Sequence, residues 1–389
     1  MAAKHTDRDV YKILMNLEYK ELTNDRHPPA FYLTRPEICA LYSAVDPEFI
    51  TRDVKLKYFK SPKSYPIDLN EGFDQHIFQN RINNYQMLGK VQKFVLETEE
   101  NVLQPNASAN TQTSITGSDR AQDMPKRKVV LSQRGFLSHI MLIPYRLKAS
   151  EYNNVTFYAT RYCGILHIMH MGWDEGRTKN DSYHGKFMDV CLSDDPDLDP
   201  ITNVPVNDNE RVYGIFKSTI KEYDLIYSAE VGGIISDHKI YDVYNMDEIN
   251  KCRFINTKLL WTSQRTENIF SHSKSLHWWL QAYLAKSNDI CVGLKDTDGV
   301  IRNEVVVNQV KNIPQQQKWK PHICTRFLRT TLKAVEEVMS EVDCPYTVYE
   351  FIYDSFKKCI KYRIFTGKTQ YSFLSEKYIK HCKERTAEK

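Results

Sequence analysis

The chain has 389 residues, 41% hydrophobic and 26% charged, with a formal net charge of +4. That composition builds a sizeable core and excludes a wholly disordered chain, while the mild excess of base permits a nucleic-acid partner without requiring one. The nine cysteines are odd in number and form no CxxC pair, which argues against a disulfide framework or structural zinc site and for a reducing compartment.

The opening "MAAKHTDRDVYK" is charged and lacks an apolar core, so no signal peptide is expected. No apolar run reaches the length of a bilayer span, so no membrane partner is expected either. Residues 1–28 read as a partly helical arm. Strands are expected in "FYLTRPEICALYS", and apolar spacing over 73–103 predicts one or two helices. Residues 104–128 are almost free of large apolar side chains and read as a flexible surface insertion. The "PKRK" at its end fits a nuclear import signal, although such short runs are usually just solvated.

"VVLSQRGFLSHIMLI" reads as helix, "NNVTFYATRYCGILHIMHM" as β with a turn or bulge at its glycine, and "DSYHGKFMDVCLSDD" as a short helix entering a loop. Strands follow in "RVYGIFKSTI", "DLIYSAEV" and "CRFINTKLLW", then an amphipathic helix in "SKSLHWWLQAYLAKS". "DICVGLKD" and "VIRNEVVVNQV" flank a turn at Asp298-Gly299 and suggest a hairpin. A long helix follows Pro321, while "YTVYEFIYDSFKKCIKYRIF" fits strand or helix equally. Interleaved strands and helices give a mixed α/β chain, with central mixed sheets flanked by helices and a single domain over 1–389.

Three segments draw chemical attention. Glu230 and Gly232 share a strand face in "AEVGG"; Asn256 and Lys258 share one in "FINTK"; Gln281 lies on the helix after them. Acid-x-acid and acid-x-Lys on neighbouring strands are how many Mg²⁺-dependent nucleases hold cations against a phosphate. By spacing alone, an edge strand with a solvated lysine explains these residues better.

The order of motifs changes that balance. "PAFYLTRPEICALYS", "SQRGFLSHIMLIPYR", "YHGKFMDVCLSDDP", "DLIYSAEVGG", "FINTK" and "HWWLQAYL" together resemble, in sequence order, the decapping exoribonuclease (DXO) family. That family includes the partner protein of the nuclear 5′→3′ exonuclease. The resemblance makes Arg134 the motif arginine and puts Met188, Gly232 and Asn256 at three of four acidic positions, with Glu230 kept. Shifting the second motif by one residue would put Asp189 at the first of these, at the cost of its Lys-Phe match. Lys258 and Gln281 stand where the family pattern expects them.

The resemblance implies a family reaction with Mg²⁺. A thioether, a glycine and a neutral amide in place of acids imply a degenerate site in which no cofactor is expected, Glu230 being at most a weak ligand. Arg134, Lys258 and Gln281 are then candidates for binding an RNA 5′ end. Among degenerate members, an insect germline protein of the piRNA pathway is most similar. It implies a nuclear complex with the linker protein Deadlock and a heterochromatin-protein-like chromatin reader, shielding transcripts from capping, processing and termination. The alternatives are an active 5′-end hydrolase using Glu230, Asp189 and Lys258 around one cation, or a protein-interaction module without RNA binding.

Other features have plainer readings. Trp278 and Trp279 fit the core better than base stacking. His167, His170 and His184 fall on different elements and do not suggest a metal cluster. "DDPDLDP" lacks the Gly and closing Glu of a calcium loop, and the basic runs "FKKCIKYR" and "KYIKHCKER" read as solvated helix faces.

Overall fold

The computed structural model describes residues 11–18, 22, 33–44, 50–72, 75–77, 88–98, 127–146, 154–170, 179–207, 211–262 and 274–387. Among the described residues, the first elements are β1 (Lys12–Asn16), β2 (Glu37–Ala44), β3 (Ile50–Thr51), β4 (Tyr58–Phe59), β5 (Ile67–Asp68) and helix α1 (Gly89–Glu97). Next come β6 (Lys128–Gln133), α2 (Arg134–Arg146), β7 (Val155–Tyr162), β8 (Ile165–His170), α3 (Lys179–Cys191), β9 (Leu192–Ser193), β10 (Arg211–Ile220), β11 (Tyr223–Glu230) and β12 (Gly233–Ile235). The remainder is α4 (Met246–Lys251), β13 (Arg253–Trp261), α5 (Ser275–Leu284), β14 (Ser287–Lys295), β15 (Val300–Ile301), β16 (Val306–Gln309), α6 (Pro321–Val338), β17 (Val348–Asp354), β18 (Cys359–Phe365) and α7 (Glu376–Ala387).

Two mixed sheets result. One has the order β1-β18-β17-β7-β8-β6-β11-β10-β2-β3; the other runs β5-β15-β14-β13-β12-β4-β9, with β16 also paired to β14. The alternation of β6 explains its central place. Val129 and Leu131 enter one apolar cluster with α1 and α7, through Val91, Phe94 and Tyr378. Val130 enters the other, with Phe136 and Ile140 of α2, Leu280 of α5 and Leu328 of α6. A strand buried on both faces reads as an apolar run rather than an alternation. Side chains as fully buried as Phe136 and Ile140 each contribute about 1.5–3 kcal/mol to stability.

The second sheet shares the larger cluster through Phe254, Ile290 and Val292. Its far face carries Ile255 and Cys291 against Phe187 and Cys191 of α3. Strand β11 ends the first sheet's contribution at Glu230, and β12 joins the second sheet at Gly233. Only Val231 and Gly232 separate them, so the candidate site lies where the chain steps from one sheet to the other.

Several expectations need correction. Residues 12–16 are a strand paired with β18 rather than part of a helical arm. Residues 128–133 are strand, and the helix begins only at Arg134. The predicted helix over 73–103 holds for Gly89–Glu97, whereas Ile77 forms a bridge to Asn207. "YTVYEFIYDSFKKCIKYRIF" is a hairpin, so its basic run lies on a strand rather than a helix. The predicted insertion lies outside the described residues up to 126. Among the described residues, no helix is long and apolar enough to cross a membrane.

Candidate functional site

Strands β6 and β11 run parallel, with Ser228 beside Gln133. Their C-terminal ends therefore deliver Arg134 and Glu230 to one place, and Tyr213 of β10 lies directly across from Glu230. Alternation on β13 puts Asn256 and Lys258 on one face. Lys258 Nζ donates to Gln281 Oε1 of α5 at 2.9 Å, and Asn256 Nδ2 donates to Ser287 Oγ at 2.9 Å.

These groups act on one another electrostatically. Burial pushes the Lys258 ammonium down to about 8; Arg134 repels it further and Glu230 opposes the shift. Burial also lowers Arg134, again opposed by Glu230. A third cation, Lys90 of α1, is lowered by burial and held up by Glu230, with its ammonium 4.3 Å from the Tyr213 ring centroid. His184 is pushed down to about 4 by burial and by Lys258, so it is neutral near pH 7 and adds no charge. The Glu230 side chain thus sits amid Lys90, Arg134 and Lys258.

The positions of the other expected acids are filled differently. Met188 is 8% exposed and packs in the apolar cluster of α3 with Phe187, Leu192 and Ile255. Gly232 has no room for a side chain: a β carbon there would stand 3.0 Å from the carbonyl carbon of Ile255, closer still to its oxygen, and 3.1 Å from Asn256 Oδ1. Met188 and Gly232 line one cleft of about 380 Å³, together with Asp189 and Arg211. Asp189 and Arg211 approach to 3.8 Å. Among the described residues, no group of three or more His, Cys, Asp or Glu side chains is placed to hold a metal ion.

The family profile described as RAI1 like PD-(D/E)XK nuclease matches residues 34–379. The chain belongs to the RAI1-like PD-(D/E)XK nuclease family. It is similar to the decapping and exoribonuclease protein Rai1 of Drosophila melanogaster, at 21% identity over 309 residues, covering 78% of each chain. It is also similar to Protein cutoff of the same organism, at 22% identity over 233 residues, 53% of this chain and 59% of that one. A crystal structure of Candida albicans Rai1 in complex with pU5-Mn²⁺ shares the fold, with a TM-score of 0.68 at 16% identity over 96% of this chain and 99% of that one. Rai1 of Scheffersomyces stipitis gives a TM-score of 0.66 at 14% identity over 98% and 100%.

The family's mixed α/β fold is the one anticipated from the motif order. Arg134, Glu230, Lys258 and Gln281, far apart in sequence, are brought together, with Asn256 and Gly232 beside them and Met188 and Gly232 lining the same cleft. Sequence reading missed Lys90 and Arg211; it named His184 only as a discounted metal ligand, and Asp189 without its arginine partner. Tyr213 could have been found from the hairpin register, but Lys90 carries no local signal.

The core reading of the tryptophans holds. Trp278 and Trp279 are 7% and 5% exposed within the core. The histidines are not all on different elements as expected, since His167 and His170 both lie on β8; His167 bonds Thr160 O and Tyr378 Oη, His170 stacks on His139 with centroids 4.5 Å apart, and His184 of α3 bonds Thr257 O. The acidic loop is tied by lysines: Asp194 to Lys57, Asp195 to Lys239 and Asp199 to Lys63.

Proposed function

We propose that this chain is a pseudoenzyme of its family that binds RNA 5′ ends without cutting them. The observation that carries the reading is the closure of position 232 by the Ile255 carbonyl, beside a Glu230 surrounded by Lys90, Arg134 and Lys258. Two-metal cleavage needs several hard oxygen donors and a local excess of negative charge. A thioether, a closed glycine and an amide bound to Ser287 do not fit a pair of Mg²⁺ ions.

The same charges suit an RNA phosphate. Arg134 opens α2, whose N-terminal dipole adds to its positive field. Lys258, oriented by Gln281, supplies a charge-assisted donor. Similarity to Protein cutoff supports a nuclear role beyond binding: a scaffold, with Deadlock and a heterochromatin-protein-like chromatin reader, that protects piRNA precursor transcripts from capping, processing and termination.

Fluorescence anisotropy tests this reading, with a short single-stranded RNA carrying a 5′ monophosphate and a 3′ label, titrated in Mg²⁺. A rise that persists, and that weakens in Arg134→Ala/Lys258→Ala, is expected. A rise that decays into short products would instead favour a hydrolase. The presence of Asp189 in the cleft with Gly232 is the observation on that side. No rise at moderate salt would leave a protein-interaction module.

A further inference from the structure

A second cavity, of about 470 Å³, lies at the N-terminal ends of β13 and β14. It shares no lining residue with the cleft at Gly232. Its size falls within the range of small-ligand sites. Arg35, Arg253, Lys286 and Lys311 line it, with no carboxylate among the lining residues. Behind them, Asp289 holds Arg253 in a two-pronged pair at 2.6 and 2.8 Å, which leaves the outer edge of the guanidinium for another acceptor. Glu37 lies near Lys286. Four cations against these two carboxylates leave an excess of positive charge facing the cavity.

Lys286 is the most telling residue. It is 8% exposed, and its ammonium donates to Pro36 O at 3.2 Å. Its backbone is left-handed, with φ 57°, at the end of α5 where glycine is the usual choice. A long side chain held in that conformation carries a backbone cost, and such costs collect at functional sites. Attraction to the C-terminus of α5 accounts for one cation there, but not for Arg35, Arg253 and Lys311 beside it. Burial lowers Lys286, and repulsion from Arg35 adds to the shift; a bound anion would relieve both. Tyr283 provides a half-buried ring, stacked on Trp279 with centroids 5.1 Å apart.

We propose that this pocket is an anion site for a nucleotide phosphate, with the cations taking the phosphate and Tyr283 the base. A free mononucleotide and an internal nucleotide of a single RNA strand present the same chemistry. The site stands independently of the proposed 5′-end cleft.

Isothermal titration of the full chain with adenosine monophosphate, and anisotropy with a 5′-hydroxyl single-stranded RNA, distinguish the two sources. Arg35→Glu/Lys311→Glu alters two exposed side chains and is expected to weaken binding at least tenfold, with an unchanged melting curve. Arg134→Ala, at the Glu230 site, should leave mononucleotide affinity within twofold of wild type. Binding of the mononucleotide that depends on Arg35 and Lys311 supports a free-nucleotide site. RNA binding alone with that dependence supports a strand-binding site. Binding of neither ligand, or affinities changed less than twofold by the double reversal, overturns the proposal.

Discussion

The carbonyl group of Ile255 occupies the space that a side chain on residue 232 would need. The obstacle is backbone of β13, so no rotamer change removes it. Gly232→Ala should therefore cost about 3 kcal/mol, the upper part of the range for overpacking. Gly232→Asp should cost at least as much, and it would bring a carboxylate towards the Asn256 amide oxygen. Restoring all three acids, with Met188→Glu and Asn256→Glu, should still give no Mg²⁺-dependent RNA cleavage. Urea denaturation and a gel assay check this; a Gly232→Ala protein as stable as wild type would show that the strands part easily.

Divalent cations should leave the protein indifferent. A ligand that binds only the folded state raises stability with its concentration, by about 2.7 kcal/mol at one hundred times its Kd. With Lys90, Arg134 and Lys258 around Glu230, millimolar Mg²⁺ should not shift the melting temperature relative to EDTA at equal ionic strength. RNA affinity should likewise be unaffected by EDTA. A rise of several degrees on adding Mg²⁺ would reveal a cation site and reopen the hydrolytic reading.

The fold was legible where local pattern and neighbours agree. The strands carrying Glu230 and Lys258 are short runs rich in aromatic and β-branched or aliphatic residues, and β11 ends close to a glycine pair, so they read as strand although neither alternates in burial. Strand β1 was misread because "KILMN" is exposed or half-buried along its length and shows no alternation. Strand β6 was misread because it is buried on five successive residues and runs into α2 without a break. At the site, residue types at motif positions were readable, whereas the closure of Gly232 depends on how two sheets meet. Lys90 reaches Glu230 only through the packing of α1, which no pattern within 88–98 announces.

Glu350 explains how β1 is held. It is 4% exposed and accepts from Tyr11 Oη at 2.7 Å, Tyr158 Oη at 2.8 Å and Arg363 Nε. It thereby joins β7, β17, β18 and the residue just before β1. Removing one partner of a buried ion pair leaves the other charge uncompensated, so Glu350→Ala should cost about 3–5 kcal/mol. Glu350→Gln keeps the size and some acceptor capacity and should cost less. Denaturation midpoints of the two variants give the comparison; equal losses would show that charge contributes little there.

RNA binding should weaken as pH rises through the Lys258 transition. Burial holds that ammonium near 8, so the side chain is charged below that pH and neutral above it. A bound phosphate favours the charged form, which moves the fall in affinity somewhat above 8 in the complex. Loss of one charge-assisted hydrogen bond is worth about 1.5 kcal/mol or more, roughly tenfold in affinity. Lys258→Arg keeps its charge throughout and should bind with a flat profile from pH 7 to about 9.5. Lys258→Gln should bind about tenfold more weakly at pH 7 and lack the inflection. Anisotropy with 5′-monophosphate RNA across that range reads all three proteins, and a flat wild-type profile would remove Lys258 from the binding site.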